Sequence, residues 1–413
     1  MIKKDTSKIV IIGHVDHGKS TLIGRLLLET GSLPKDKLAE VKKISRELGK
    51  DTEIAYLADH LKEERERNIT IDTTQIFFHT RKKNYVIIDV PGHVEFIKNM
   101  LTGASHAEDA VLIIDANEGI MEQTRRHAFL ISFLGIRSLV IVVNKMDLLG
   151  YEESKFNEIK DQISSFMAQA CIPIDKIIPI SAKEGVNVFK RSRKTPWYRG
   201  MTLIEVLDSI RHTSQIRKEP LTLPIQDVYT SGNETIVAGK ITSGRIKAGQ
   251  DIAILPSGNK ATIDKIKVFR ETANYAGIGE NIGIILSDPA GVKRGQVITE
   301  ATDKIKPKKQ FEANIFWMSG HPLKVGDKLL LRCETQEVDC QVQKIVKTVD
   351  SSTLEIIGNN VERLDLNQAG IAEFLPARPI VIEDPGFIRE LGRFVLEKDN
   401  VPIAAGMYLE ANQ

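Results

Sequence analysis

Between Lys8 and about Thr213 the chain sets short apolar runs against longer amphipathic stretches. The runs are KIVIIG, NYVIID, AVLIIDA, SLVIVVN and KIIPIS. They are rich in Val and Ile and apolar throughout, whereas a strand with one wet face alternates apolar and polar residues. Strands covered on both faces read this way, and such strands belong to parallel sheets. Between the runs, apolar residues recur at spacings of three and four, as at Leu38, Val41, Ile44 and Leu48, and again at Leu203, Val206, Leu207 and Ile210. Strand–helix alternation of this kind predicts a doubly wound α/β domain with a mostly parallel sheet.

The pattern stops at RKEPLTLP (Arg217–Pro224), where two prolines mark a linker. Short strands separated by turn signals follow: YTSGNET, TSGRIKAGQ, LPSGNKAT and GIGENIG. KIKPKKQ (Lys304–Gln310) is a second linker, and further short strands run to the end, with LPARP and EDPG as turns. A chain of 413 residues exceeds what one hydrophobic core serves. The expected organisation is an α/β domain over residues 1–215 and two all-β barrel domains over 220–304 and 308–413.

Composition narrows the class. Lys and Arg number 57 against 55 Asp and Glu, so no global basic excess announces nucleic acid. The three cysteines, Cys171, Cys333 and Cys340, form no CxxC pair and read as thiols of a reducing compartment. The apolar run Ile9–Ile12 is too short for a signal peptide, and no run of about 18 apolar residues occurs that could span a membrane. A cytoplasmic protein is expected.

Five motifs carry chemistry. Gly13-His14-Val15-Asp16-His17-Gly18-Lys19-Ser20-Thr21 fits G-x-x-x-x-G-K-[ST], follows a strand and opens the helical stretch STLIGRLLLETG. Its glycines let backbone N–H groups turn toward phosphate oxygens, and the helix N-terminus adds partial positive charge. Lys19 reaches the β- and γ-phosphates, and the Ser20 hydroxyl ligates Mg²⁺. Asp89 closes the strand NYVIID in DVPGH, where a carboxylate holds the Mg²⁺ shell through water; Gly92 offers a backbone N–H to the γ-phosphate. The plainer reading of Asp89 is a helix N-cap.

Asn144-Lys145-Met146-Asp147 ends SLVIVVN. A carboxylate there accepts two hydrogen bonds from the N1–H and N2–H₂ edge of guanine, a donor pair that adenine lacks. Ser181-Ala182-Lys183 follows the last apolar run and offers a backbone N–H to guanine O6. The nucleotide is therefore expected to carry guanine. In ERERNITID, Thr70 stands where a threonine could bind Mg²⁺ and the γ-phosphate and release both after hydrolysis. The charges around it, Arg65 and Arg67 included, read as a solvated helix face, and no arginine finger is assigned.

Taken in order, GHVDHGKST, ERERNITID, DVPGH, NKMD and SAK resemble the translation-factor-type GTPases across the whole first domain. The resemblance implies a P-loop GTPase domain binding GTP and Mg²⁺, followed by two β-barrels. It also implies that His93 orients the attacking water while Lys19 and the loop amides neutralise developing charge. One departure is Asn68, where these proteins usually carry glycine.

Within that family PGHVEFIKNMLTGAS resembles elongation factor one-alpha. EQTRRHAFLISFLGIRSLVIVVNKMDLLGY, WYRGMTLIEVLDSI and much of the β-domain sequence are instead similar to the large, GTPase subunit of bacterial ATP sulfurylase (sulfate adenylyltransferase subunit 1). Trp317-Met318-Ser319 and the PLKVGD turn belong to that similarity, and a longer segment that helps elongation factors hold tRNA is not found. The leading expectation is thus a subunit that couples GTP hydrolysis to formation of adenylyl sulfate from ATP and sulfate by a small adenylyltransferase subunit. Its alternative is an elongation-factor-like translation GTPase that binds aminoacyl-tRNA and the ribosome. A third reading is a nucleotide-dependent scaffold with little turnover, and the intact Lys19, Ser20, Asp89 and His93 speak against it.

Overall fold

The structure, a computed structural model, describes residues 6–14, 16–33, 74–89, 109–134, 136, 138–170, 172–210, 220–232, 234–269, 271–302 and 304–410. The amphipathic repeat from Leu38 to Leu48 lies outside these residues. Two compact units divide the chain: residues 1–212 with 351–354, and residues 213–350 with 355–413.

In the first unit every predicted apolar run is a strand. These are β1 (Thr6–Gly13), β3 (Asn84–Asp89), β4 (Asp109–Asp115), β5 (Ser138–Asn144) and β6 (Lys176–Pro179), with β2 (Thr74–His79) between the first two. The sheet order is β2-β3-β1-β4-β5-β6. All neighbours from β3 to β6 run parallel, and β2 is an antiparallel edge paired to β3. Their apolar character has its cause in burial: every residue of β4 and of β5 is buried.

Four helices are described: α1 (Lys19–Glu29), α2 (Glu122–Leu134), α3 (Glu153–Gln169) and α4 (Leu203–Ser209). Helix α1 buries Leu22, Ile23, Leu26 and Leu27, a stripe one and four residues apart that packs with Ile9, Ile11, Val111 and Ile113 of the sheet. Each such side chain contributes about 1.5–3 kcal/mol when fully buried. A capping box starts α4, with Thr202 accepting from the Glu205 backbone and the Glu205 carboxylate accepting from the Thr202 N–H at 2.8 Å. Ile210 is the residue at which this helix ends.

Parallel pairing puts the C-terminal ends of β1, β3, β4, β5 and β6 on one edge of the sheet. The chain leaves β1 for β3 on one side and later for β4 on the other, so the order reverses at β1. Ligands of open α/β sheets bind outside the strand ends at such a reversal, and the GHVDHGKST loop leaves β1 there.

The second unit holds two barrels. The first is built from β7 (Thr222–Ser231), β8 (Glu234–Lys240), β9 (Arg245–Lys247), β10 (Asp251–Leu255), β11 (Asn259–Val268), β12 (Glu271–Ala273), β13 (Tyr275–Gly277), β14 (Asn281–Leu286) and β15 (Val297–Glu300). The order β10-β15-β7-β8-β14-β11 closes on itself through β10–β11 pairing. The second uses β16 (Phe311–Trp317), β17 (Leu323–Lys324), β18 (Lys328–Cys333), β19 (Gln336–Asp350), β20 (Ile356–Val361), β21 (Arg363–Leu364), β22 (Gln368–Pro376), β23 (Arg393–Lys398) and β24 (Val401–Leu409). Its order β18-β23-β24-β16-β22-β19 closes through β18–β19. Closure leaves each six-strand ring without a free edge.

Both predicted linkers are partly structural. Pro224 lies within β7, opposite Val297 of β15 and just before the pairing with β8 begins at Ile225, and Leu221 and Leu223 are buried. Ile305 is buried in the second barrel's core, and Lys308 exchanges backbone hydrogen bonds with Ile380. Proline and lysine signal a linker by composition, and here the register of the sheet overrides that signal. Cys333 and Cys340 are buried free thiols, held up by burial, and Cys171 lies outside the described residues. Among the described residues no helix is long and apolar enough to cross a membrane.

Candidate functional site

Gly13 ends β1 so close to β4 that a β-carbon there would lie 2.4 Å from Ile113 Cγ2 and 2.6 Å from its carbonyl oxygen. Gly18 caps α1 in the left-handed region at φ 94°, and a β-carbon on it would meet Asn144 Nδ2 at 2.5 Å. Both glycines are thus required by space, and Gly18 by backbone conformation as well. The loop between them folds back on itself. Lys19 Nζ donates to the carbonyls of Gly13 at 2.5 Å and His14 at 3.2 Å, which places the ammonium across the loop mouth at the start of α1. Ser20 and Thr21 stand in the first turn of that helix.

His17 is wholly buried. Its Nδ1 meets the Ile113 carbonyl at 3.2 Å and its Nε2 the Glu118 carboxylate at 3.1 Å. Burial holds this imidazole below its ordinary value, and the Ile113 and Glu118 contacts only partly offset that effect. The His14 ring packs edge-on against it at 5.3 Å.

Asn144, the last residue of β5, joins the phosphate loop to the Ser181 loop. Its Nδ2 donates to the His17 carbonyl at 2.9 Å, and its Oδ1 accepts from the Ala182 N–H at 2.9 Å. Lys145 follows at φ 62°, a conformation that costs a non-glycine residue about 1–2 kcal/mol. An ion pair of Lys145 Nζ with the buried Asp115 carboxylate at 2.6 Å holds it there. Asp147 sits in the first turn of a short 3₁₀ helix (Met146–Leu149), and its Oδ1 is buried with no hydrogen-bond partner among the described residues. A buried acceptor without a donor is costly, and an N–H donor on the edge of a purine base would satisfy it. An acceptor there suits a base whose edge donates, as the N1–H and N2–H₂ of guanine do.

Ser181 and Ala182 are buried, while Lys183 is exposed. Ser181 shapes the loop, accepting from the Glu184 backbone on Oγ at 3.2 Å and from Gly185 N–H on its carbonyl at 2.8 Å. The structure thus brings Gly13, His14, Asp16, His17, Gly18, Lys19, Ser20, Thr21, Asn144, Lys145, Asp147, Ser181, Ala182 and Lys183 to one edge of the sheet. The backbone of Asp89 ends β3 on the same edge. Val15, Thr70, Gly92 and His93 lie outside the described residues, as do Arg65, Arg67 and Asn68. Sequence reasoning missed Asp115 and Glu118. Asp115 carried a signal, being the one carboxylate that ends AVLIID, as Asp89 ends YVIID.

Residues 4–214 match the family described as elongation factor Tu GTP binding domain, residues 234–299 elongation factor Tu domain 2, and residues 310–409 the GTP-eEF1A C-terminal domain-like family. Elongation factor 1-alpha of Archaeoglobus fulgidus is 38% identical over 416 residues, covering 99% of this chain and 98% of that protein. The Pyrococcus furiosus protein of the same name is 38% identical over 415 residues, covering 97% and 96%. A crystal structure of sup35 complexed with GDP covers 100% of this chain and 96% of that one at 26% identity, with a TM-score of 0.47.

These findings overturn the expected sulfate adenylyltransferase subunit and, with it, the small adenylyltransferase partner. Relatives named elongation factor 1-alpha align end to end, so no long segment separates them from this chain. The residues that favoured the sulfurylase reading serve the barrel. Trp317 is buried and donates its indole N–H to the His321 carbonyl at 2.8 Å. The PLKVGD turn is closed by Lys324 N–H on Asp327 Oδ2 at 2.8 Å, with Leu323 in the core. Side chains that fill a core or close a hairpin report the barrel and carry no information about its partner.

Proposed function

The chain belongs to the translation elongation factor-type GTPase family, and on that premise we propose that it is an elongation-factor-like translation GTPase whose partners are aminoacyl-tRNA and the ribosome. End-to-end similarity to proteins named elongation factor 1-alpha carries this reading. Its domains run over residues 1–215, 220–304 and 308–413, a division that the separate family matches and the two closed barrels support.

GTP binds at the strand ends around β1. The amides of Gly13 to Lys19 and the Lys19 ammonium take the phosphates. Ser20, Thr70 and Asp89 are the residues that would hold Mg²⁺, which would supply positive charge against the phosphates. Asn144 ties the phosphate loop to the base loop, Lys145 and Asp147 take the base, and His93 orients the water. Sites of this kind act mainly by orientation and electrostatic stabilisation. The buried, unpartnered Asp147 Oδ1 supports guanine as the base.

Two measurements test the proposal. Asp147→Asn exchanges the acceptor for an amide, so base preference moves from guanine toward xanthine; a variant that binds GDP as tightly as wild type sinks the base assignment. Aminoacyl-tRNA binding measured in the GTP and GDP states should differ between the states and weaken steeply with salt. Equal affinity in both states sinks the translation reading.

A further inference from the structure

We infer that Arg25, on helix α1, is a positioning residue for base recognition: it fixes the Ala182–Lys183 peptide so that the Lys183 N–H faces guanine O6. The inference rests on the guanine reading and deepens it. The amides of the loop are already allotted. Ser181 N–H donates to the Val186 carbonyl, Ala182 N–H to Asn144 Oδ1, Glu184 N–H to Ser181 Oγ, and the Gly185 and Val186 N–H groups to the Ser181 carbonyl. The Lys183 amide is the one left to offer a base.

Where that amide points is set by its own peptide plane. A trans peptide holds its C=O and N–H antiparallel, so gripping the Ala182 carbonyl aims the Lys183 N–H the opposite way. Arg25 Nε donates to the Ala182 carbonyl at 2.9 Å, and Arg25 Nη2 donates to the Lys183 carbonyl. Two donors of one rigid guanidinium on consecutive carbonyls fix both position and tilt, which a lysine could not do. The charge on the Ala182 oxygen also polarises the peptide and strengthens its N–H as a donor.

The clamp is itself held. Glu29, one turn along α1, lies 3.6 Å from Arg25 Nη1, with only 14% and 24% of the two side chains exposed. Gly185 closes the loop against them at φ 76°, where a β-carbon would sit 2.4 Å from Glu29 Oε1. Because α1 begins at the phosphate loop, one helix registers the phosphate end of the site against the base end.

The test compares dissociation constants of three nucleotides on the same preparation, so their ratios do not depend on the folded fraction. The nucleotides are GDP, IDP, which lacks the 2-amino group, and 2-aminopurine riboside 5′-diphosphate, which lacks O6. Arg25→Ala should weaken GDP by about tenfold, the scale of one misdirected hydrogen bond. IDP keeps O6 and should weaken equally, leaving the GDP-to-IDP ratio unchanged, while the 2-aminopurine nucleotide should stay within about twofold of wild type. Arg25→Lys, whose ammonium lacks the planar fork, should fall between. Equal losses for all three nucleotides, or no loss for any, overturn the inference. Wild-type protein that binds ADP as tightly as GDP removes the guanine reading and this inference together. A strong wild-type guanine preference with the ratio of GDP to the 2-aminopurine nucleotide unchanged in both variants removes the inference alone.

Discussion

The strand ends of the α/β unit and the hairpins of the barrels use similar residues for opposite purposes. At the strand ends, polar groups reach across to other loops: Asn144 spans from the His17 carbonyl to the Ala182 amide, and Lys145 crosses to Asp115. Asp147 Oδ1 is buried without a donor among the described residues. In the barrels the corresponding groups close on their own turns, as Asp327 does on Lys324 and as the Trp317 indole does on His321. A polar residue that satisfies its own turn tells of the fold. At the strand ends, the groups that reach between loops shape a site for a ligand. Trp317 and Asp327 are of the first kind, so they carry no information about a partner.

Three substitutions sharpen or break this contrast. The largest effect is expected from Trp317→Ala, which opens a cavity in the second barrel and should cost about 3–5 kcal/mol of stability. Denaturant unfolding of the barrels should register that loss while GDP affinity stays at the wild-type value. A matching loss of GDP affinity would break the separation of roles. Gly18→Ala is the converse. A left-handed alanine costs about 1–2 kcal/mol, and its methyl group would displace the Asn144 amide, 2.5 Å away. Nucleotide affinity should drop by about tenfold or more with barrel unfolding unchanged, as read by calorimetry beside nucleotide titration.

The smallest effect concerns His17. Burial keeps its folded value below the ordinary 6.5, so at lower pH the unfolded chain takes up a proton that the folded chain refuses. The stability of the α/β unit should therefore fall as pH drops through about 6.5, and should be insensitive to this residue above that. The groups facing the ring are Glu118 and Asp115, with the His14 ring beside it. His17→Asn should flatten the slope; equal slopes for variant and wild type would place the titration elsewhere.

Much of the fold was legible because burial on both faces leaves a plain record. KIVIIG, AVLIIDA and SLVIVVN are apolar through the middle of their strands because both faces of the sheet are covered. The linkers were less legible. Pro220 and Pro224 read as breakers, yet Pro224 occupies a strand position opposite Val297, just before the pairing with β8 begins. In the site, Gly18, Lys19, Asn144 and Asp147 could be named because their roles depend on residue type at fixed spacing. Arg25 could not, since nothing near it in sequence refers to Ala182, which is 157 residues away.

The sequence by itself determined the strand–helix alternation, the phosphate loop and the family, because local spacing and side-chain type decide these. Only the tertiary structure decided the sheet order that reverses at β1, the closure of each barrel, and the grip of α1 on the base loop. Those depend on which distant backbone groups come within hydrogen-bond reach, a property of the folded chain that residue spacing does not encode.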